Sequence, residues 1–364
     1  MQRSNSSINE VLGKKAELQV KLPNGRIKCT ACARLCEIPE GKIGLCGIRG
    51  VTNNSLYLYV YGRVITGHID PIEKKPVTHY RPGTAIYSIA TTGCNWLCKY
   101  CQNYDISQRR KIEGVEMTPK QVVDMAVEQG AHGIAYTYNE PSIFIEFAKD
   151  CGIEAHKKSI FNIFVSNGYD TPDSVSMMGK FLDCITVDFK GSGKQEFVRQ
   201  YIGIPSADPI FETLKEIRDK TSIHTEITDL IVPQVGDDLE AARKLCKFVY
   251  DELGPDIPIH FLRFHPDYKM MDFGRTPIET LEKHHAIAKK EGLKYAYLGN
   301  VPGHPLEHTY CPECNCVAIE RYGYSIGSWN LDNNNCCNNC GYPIPIIGKL
   351  NRSTSRRNLF QILQ

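Results

Sequence analysis

Ala85-Ile86-Tyr87-Ser88-Ile89-Ala90-Thr91-Thr92-Gly93-Cys94-Asn95-Trp96-Leu97-Cys98-Lys99-Tyr100-Cys101 is the stretch whose reading decides the fold. Its first six residues read as a buried strand, Gly93 turns the chain, and three thiols follow at C-x3-C-x2-C spacing in a short loop. Such thiols can converge on one small object. A structural tetrahedral zinc takes four protein ligands, whereas a cubane cluster has four irons to satisfy. Three thiolates therefore point to a [4Fe–4S] cluster with one iron open to an exogenous ligand. A zinc site completed by a distant residue is the alternative.

Downstream of the loop the pattern turns regular. Strands are expected at Ala85–Ala90, Ile134–Tyr138, Asn162–Asn167, Cys184–Phe189, Ile223–Val232, Ile259–Phe264 and Tyr295–Leu298, with helices near 119–129, 142–158, 173–181, 208–219, 238–252 and 276–291. Each connection is long enough for a right-handed parallel crossover. A full eightfold barrel takes about 250 residues, so the reading is an α/β fold with a partial, six-stranded (β/α)6 TIM-like barrel.

The chain has 364 residues, 43 basic against 41 acidic, for a net charge of +2, so electrostatics do not favour nucleic acid. No run of about 18 apolar residues suggests a membrane span. The N-terminus lacks an apolar signal core, and the expected location is the cytoplasm. Sixteen cysteines are many for that compartment, and their tight grouping argues for metal centres over disulfides. Cys151, Cys184 and Cys246 stand alone in apolar patterns and read as core.

Cys29, Cys32, Cys36 and Cys46, with glycine-rich turns between them, can close a tetrahedral zinc site or hold a second iron–sulfur cluster. Two C-x2-C knuckles, Cys311/Cys314 and Cys337/Cys340, lie 22 residues apart, the pattern of a four-cysteine zinc ribbon or a rubredoxin-like iron site. Cys316 and Cys336 leave open which four ligate. The expected division is a Cys-rich module with a connecting arm (1–83), the barrel (84–305), the ribbon (306–348) and a loosely docked tail (349–364). Residues 1–28 offer no pattern, and the charged arm Asp70–Pro76 is a connection or a lining of the substrate entrance.

In parallel barrels the site lies at the C-terminal ends of the strands. There the sequence places Thr137-Tyr138-Asn139-Glu140, Ser166-Asn167, Asp188-Phe189-Lys190, Glu226 with Thr228 and Asp229, and Arg263-Phe264-His265. Each alone is an ordinary cap or turn residue; together, above three thiols, they form a polar rim.

The C-x3-C-x-aromatic-C loop after a strand resembles the signature of radical S-adenosylmethionine (SAM) enzymes. That resemblance implies a [4Fe–4S] cluster on Cys94, Cys98 and Cys101, SAM chelating the open iron, and the same partial barrel. Asn139-Glu140-Pro141 resembles the Gly-Gly-Glu-Pro segment that meets the methionyl amino group, with Tyr138 and Asn139 where the glycines stand. Asn167, Asp188, Lys190 and His265 match positions lining the carboxylate and ribose sites in enzymes similar to pyruvate formate-lyase activating enzymes. With the N-terminal cysteines, Asp70–Pro76, Cys101-Gln102-Asn103 and Gly299–Gly303, the chain resembles the AmmeMemoRadiSam system family. The implied activity is an oxidoreductase-like reductive cleavage of SAM to a 5′-deoxyadenosyl radical that abstracts hydrogen from an unidentified substrate. Its implied partners are a flavodoxin- or ferredoxin-like electron donor and Memo-like and AMMECR-like proteins. A glycyl-radical activating enzyme and a non-catalytic metal scaffold are the other readings.

Overall fold

The computed structural model describes residues 13–351 and the strand Gln361–Leu363. All six residues of Ala85–Ala90 are buried, as expected of a strand with both faces covered by packed elements. In chain order the central strands are β1 (Thr66–Pro71), β2 (Ala85–Ala90), β3 (Gly133–Tyr136), β4 (Phe161–Ser166), β5 (Cys184–Lys190), β6 (His224–Ile231), β7 (Ile259–Arg263) and β8 (Ala296–Gly299). Strands β2 to β8 are parallel and adjacent in sequence order, and β1 pairs antiparallel with β2. The helices α1 (Pro119–Glu128), α2 (Ile145–His156), α3 (Pro172–Met178), α4 (Asp208–Lys220), α5 (Leu239–Phe248) and α6 (Ile278–Lys290) fill the crossovers.

Seven parallel strands form, one at each expected strand, against the six-stranded barrel that chain length suggested; the last, β8, is four residues long and pairs beside β7. Among the described residues no pairing joins β8 to β1, so the sheet is open. The tail expected to dock loosely instead adds a strand, β9 (Gln361–Leu363), antiparallel to the free edge of β1. The rest of that tail, residues 352–360 and 364, lies outside the described residues, as do residues 1–12.

Local chemistry sets the helix starts. The Thr118 hydroxyl accepts from the Gln121 backbone N–H, the Gln121 side chain accepts in return, and Pro119 opens α1. Asp238 caps α5 by accepting from the backbone N–H groups of Glu240 and Ala241, both at 2.9 Å.

Residues 13–58, of which 13–28 offered no pattern, form two small antiparallel sheets, built on Lys14–Lys15, Arg49–Thr52 and Ser55–Leu58, and on Gln19–Lys21, Ile27–Cys29 and Glu37–Ile38. Ile48, Leu56 and Leu58 share one apolar core with Ile134 and Phe147 of the central unit. Fully buried Arg49 pairs with Glu146 on α2 and donates to the Ile143 carbonyl at 2.6 Å. At the other end of the chain, Thr309–Tyr310, Val317–Tyr322 and Ser325–Trp329 form a three-stranded sheet. Its small core of Ala318, Ile319, Leu331, Ile344 and Ile346 packs on Tyr295 and Tyr297 beside β8.

Candidate active site

The cysteine loop leaves the C-terminal end of β2 and is tied on several sides. Gly93 has φ +87°, and a β-carbon there would stand 2.4 Å from the Cys46 carbonyl oxygen, so only glycine admits the contact. Backbone N–H groups of Leu97 and Lys99 donate to Ile202 and Tyr201, both at 2.9 Å, and Lys269 N–H donates to the Lys99 carbonyl at 2.8 Å. The segments after β5 and β7 therefore hold the loop from outside. Trp96 and Tyr100 are buried and Leu97 is exposed. Tyr100 stacks on Phe197.

The three thiols are mutual neighbours. Burial pushes Cys94 up to about 12, against backbone N–H groups of Trp96 and Glu140 that favour its thiolate. Burial also raises Cys98 and Cys101, against the nearby Lys190 ammonium. Ser107 lies 3.1 Å from the Cys101 sulfur. Such a pocket keeps its thiols protonated until a strongly positive metal centre displaces the protons.

Around the loop, the segments at the ends of β3, β4 and β5 carry Tyr138, Asn139, Glu140, Asn167, Asp188 and Lys190. Tyr138 holds φ +68°, the left-handed conformation that favours glycine. Its hydroxyl donates to Asp70 at 2.6 Å. Asp70 also accepts from Lys74 and Lys75, each at 2.7 Å, so the charged arm meets the site-bearing end as an internal ion cluster. Asn139 donates to the Gly93 carbonyl at 2.9 Å. Glu140 is buried and accepts from Ser142 N–H and hydroxyl, Ser166 hydroxyl and Asn167 N–H, at 2.7–3.1 Å. Those bonds take up the capacity of a carboxylate, which makes Glu140 the knot between β3 and β4. Asn167 donates from its side chain to Asn95 Oδ1 at 2.7 Å. Lys190 pairs with Asp188 at 3.0 Å, and Thr228 donates to the same carboxylate.

Other residues of the rim stand apart. His265 is exposed and pairs with Asp267 at 3.0 Å, on the loop that crosses the cysteine segment. Asp229 is occupied by Ser192, which donates from N–H at 2.8 Å and hydroxyl at 2.6 Å. Glu226 lies near the start of β6, buried among donors from Thr78, His79, His224 and His260. It anchors the arm, because register puts its side chain two residues before Thr228. Asp170 carried no sequence signal. It is buried beside Glu140 with neither oxygen hydrogen-bonded, and burial and the Glu140 charge push its carboxyl well above the usual range.

The tail cysteines resolve cleanly. Cys311, Cys314, Cys337 and Cys340 bring their sulfurs within 4.8 Å of one another, the only such group of three or more metal-binding side chains among the described residues. Cys311 and Cys340 are 3.5 Å apart and Cys314 and Cys337 3.7 Å. Zinc–sulfur bonds of about 2.3 Å in a tetrahedron separate sulfurs by about 3.8 Å. Cys316 and Cys336 fall outside the set.

A family model described as the Radical SAM superfamily matches residues 88–249, from β2 to the end of α5. The uncharacterized protein MJ0808 of Methanocaldococcus jannaschii is 42% identical over 330 residues, covering 90% of this chain and 97% of that protein. The chain carries a radical SAM domain, and with it the implication of an enzyme that uses an iron–sulfur cluster and SAM. Along nearly its whole length it belongs to one family with the archaeal protein. Among solved structures, it is similar to a domain of pyruvate-formate lyase-activating enzyme from Bacteroides vulgatus, at 15% identity over 47% of this chain and 100% of that one, TM-score 0.41. It is also similar to a radical SAM methyltransferase from Sphaerobacter thermophilus, at 15% identity over 60% and 66%, TM-score 0.47.

The residues present fit the implied groups. Trp96 Nε1, Tyr100 OH and Asn139 Oδ1 are buried polar atoms without a hydrogen-bond partner, an arrangement a folded protein rarely leaves unexplained. Two are donors on the cysteine loop itself, and Tyr100 lies beside Cys98 and Cys101, positioned to meet cluster sulfur. Asn139 Oδ1 is an acceptor at the strand end that resembles the amino-group site. No helix among the described residues is long and apolar enough to cross a membrane.

Proposed function

We propose that the protein is a radical SAM enzyme that holds a [4Fe–4S] cluster on Cys94, Cys98 and Cys101 and binds SAM at the open iron. The observation that carries this reading is a loop of three half-buried thiols leaving the first parallel strand beneath a polar rim. When bound, the cluster and SAM supply a one-electron cleavage of the sulfonium and a hydrogen-abstracting 5′-deoxyadenosyl group. The chain's own part is positional. Tyr138, Asn139 and the backbone at Glu140 would hold the methionyl amino group, with Asn139 Oδ1 its free acceptor. Lys190, near two of the thiols, would face the carboxylate, and Asp188, Asn167 and His265 would complete the nucleoside side. Trp96 and Tyr100, both buried, would exclude water from the cluster, which protects a reactive intermediate, whereas Leu97 is exposed.

The motifs quoted above support membership in the AmmeMemoRadiSam system family, with Memo-like and AMMECR-like proteins as partners and a flavodoxin- or ferredoxin-like donor. The ribbon geometry supports zinc on Cys311, Cys314, Cys337 and Cys340. Anaerobic reconstitution with iron, sulfide, SAM and dithionite tests the central reading. Wild type should form 5′-deoxyadenosine and methionine, and Cys98→Ala should lose at least about 100-fold of that activity. Equal product from both, or none from wild type, would sink it.

A further inference from the structure

Cys29, Cys32, Cys36 and Cys46 line one cavity together with Arg34, Arg49 and Asn95. Three of these thiols are buried and Cys36 is half-buried. A single zinc draws four sulfurs to about 3.8 Å from one another, and the ribbon cysteines show that packing. The N-terminal four are not gathered within 4.8 Å as the ribbon set is; they stand around a space. A cubane core, with each cysteine on a different iron, needs that wider stance. A second observation concerns Asn95, which lines the same space. Asn95 is fully buried, its Oδ1 accepts from Asn167, and its Nδ2 donor has no partner. An N–H donor left over beside a cluster is a means of tuning its potential.

The cavity adjoins the SAM loop directly. Asn95 follows Cys94, the Cys46 carbonyl rests against Gly93, and Arg34 donates to the Asn95 and Gly203 carbonyls at 2.9 and 2.7 Å. We propose that these four cysteines hold a second [4Fe–4S] cluster, closed by four thiolates, that relays electrons to the SAM-binding cluster through the Gly93–Asn95 segment. One electron from a ferredoxin- or flavodoxin-class donor takes the second cluster from the 2+ to the 1+ core. The core returns to 2+ when it reduces the first cluster, so no further reactant is consumed. The relay rests on the proposed function; the cluster itself does not.

The test uses the full chain with Cys94→Ala, Cys98→Ala and Cys101→Ala combined, reconstituted anaerobically. About four irons and four sulfides should remain per chain, with a reduced-state electron paramagnetic resonance signal that SAM leaves unchanged. A sulfide-free variant carrying about two zincs overturns the proposal. Wild type reads the same question without a variant: about eight irons and sulfides and one zinc, against about four and two. Failure of the radical reading would appear separately, as absent 5′-deoxyadenosine from a wild type that still holds both clusters.

Discussion

Single residues set the stability of the site's foundations. His79 sits between Tyr297, 2.7 Å from its Nε2, and the Pro345 carbonyl, 3.2 Å from Nδ1. Burial holds its ring neutral, down to about 3, despite the nearby Glu226 carboxylate. An unfolded histidine titrates near 6.5, so between those values the unfolded chain binds the extra proton. Stability from this group is therefore complete above about pH 6.5 and falls as pH drops below it. The expected loss from pH 7 to pH 5 is about 2 kcal/mol, read by urea unfolding at the two pH values. In His79→Gln the pH-dependent loss should shrink by that amount. At this scale the three loop thiols were legible because their spacing is local. The commitment of Glu140 to β4 was not, since Ser166 and Asn167 lie 26 and 27 residues away. Glu226 sits early in the expected strand Ile223–Val232, and the partners that bury it, Thr78 and His79, lie 148 and 147 residues away.

At the scale of elements, periodicity served well wherever an element was long enough to repeat. α1 was legible from Thr118-Pro119 and its apolar stripe, and the cap is present on both sides. Thr118→Ala should lower stability by about 1 kcal/mol, seen as a lower urea midpoint at unchanged slope. The strands Lys14–Lys15, Gln19–Lys21 and Ile27–Cys29 escaped notice because two or three residues cannot display a period. They form through pairing with distant partners, such as Lys14 with Leu58, and tertiary contacts leave no local trace.

For the whole molecule, the open question in the sequence was how many strands enter the sheet, and length alone argued for one too few. The ribbon shows what a small terminal unit needs beyond packing. Its apolar core is slight and leans on Tyr295 and Tyr297, and a metal on its four gathered cysteines would add folding energy. A Cys314→Ser/Cys340→Ser variant should lose about one metal ion per chain and become sensitive to protease between residues 305 and 351. The fragment carrying β2 to β8 should stay resistant, which mass spectrometry of a limited digest would show.

The end of the chain also has a protective role. With β9 in place, the outer edge of β1 is paired at Gln361–His68 and Leu363–Gly67. An unpaired edge is a template for another chain's backbone. Shortening the protein by its last few residues would therefore replace a three-residue edge strand, β9, by the six-residue edge of β1, and a loss of solubility should follow with the cysteine loop untouched.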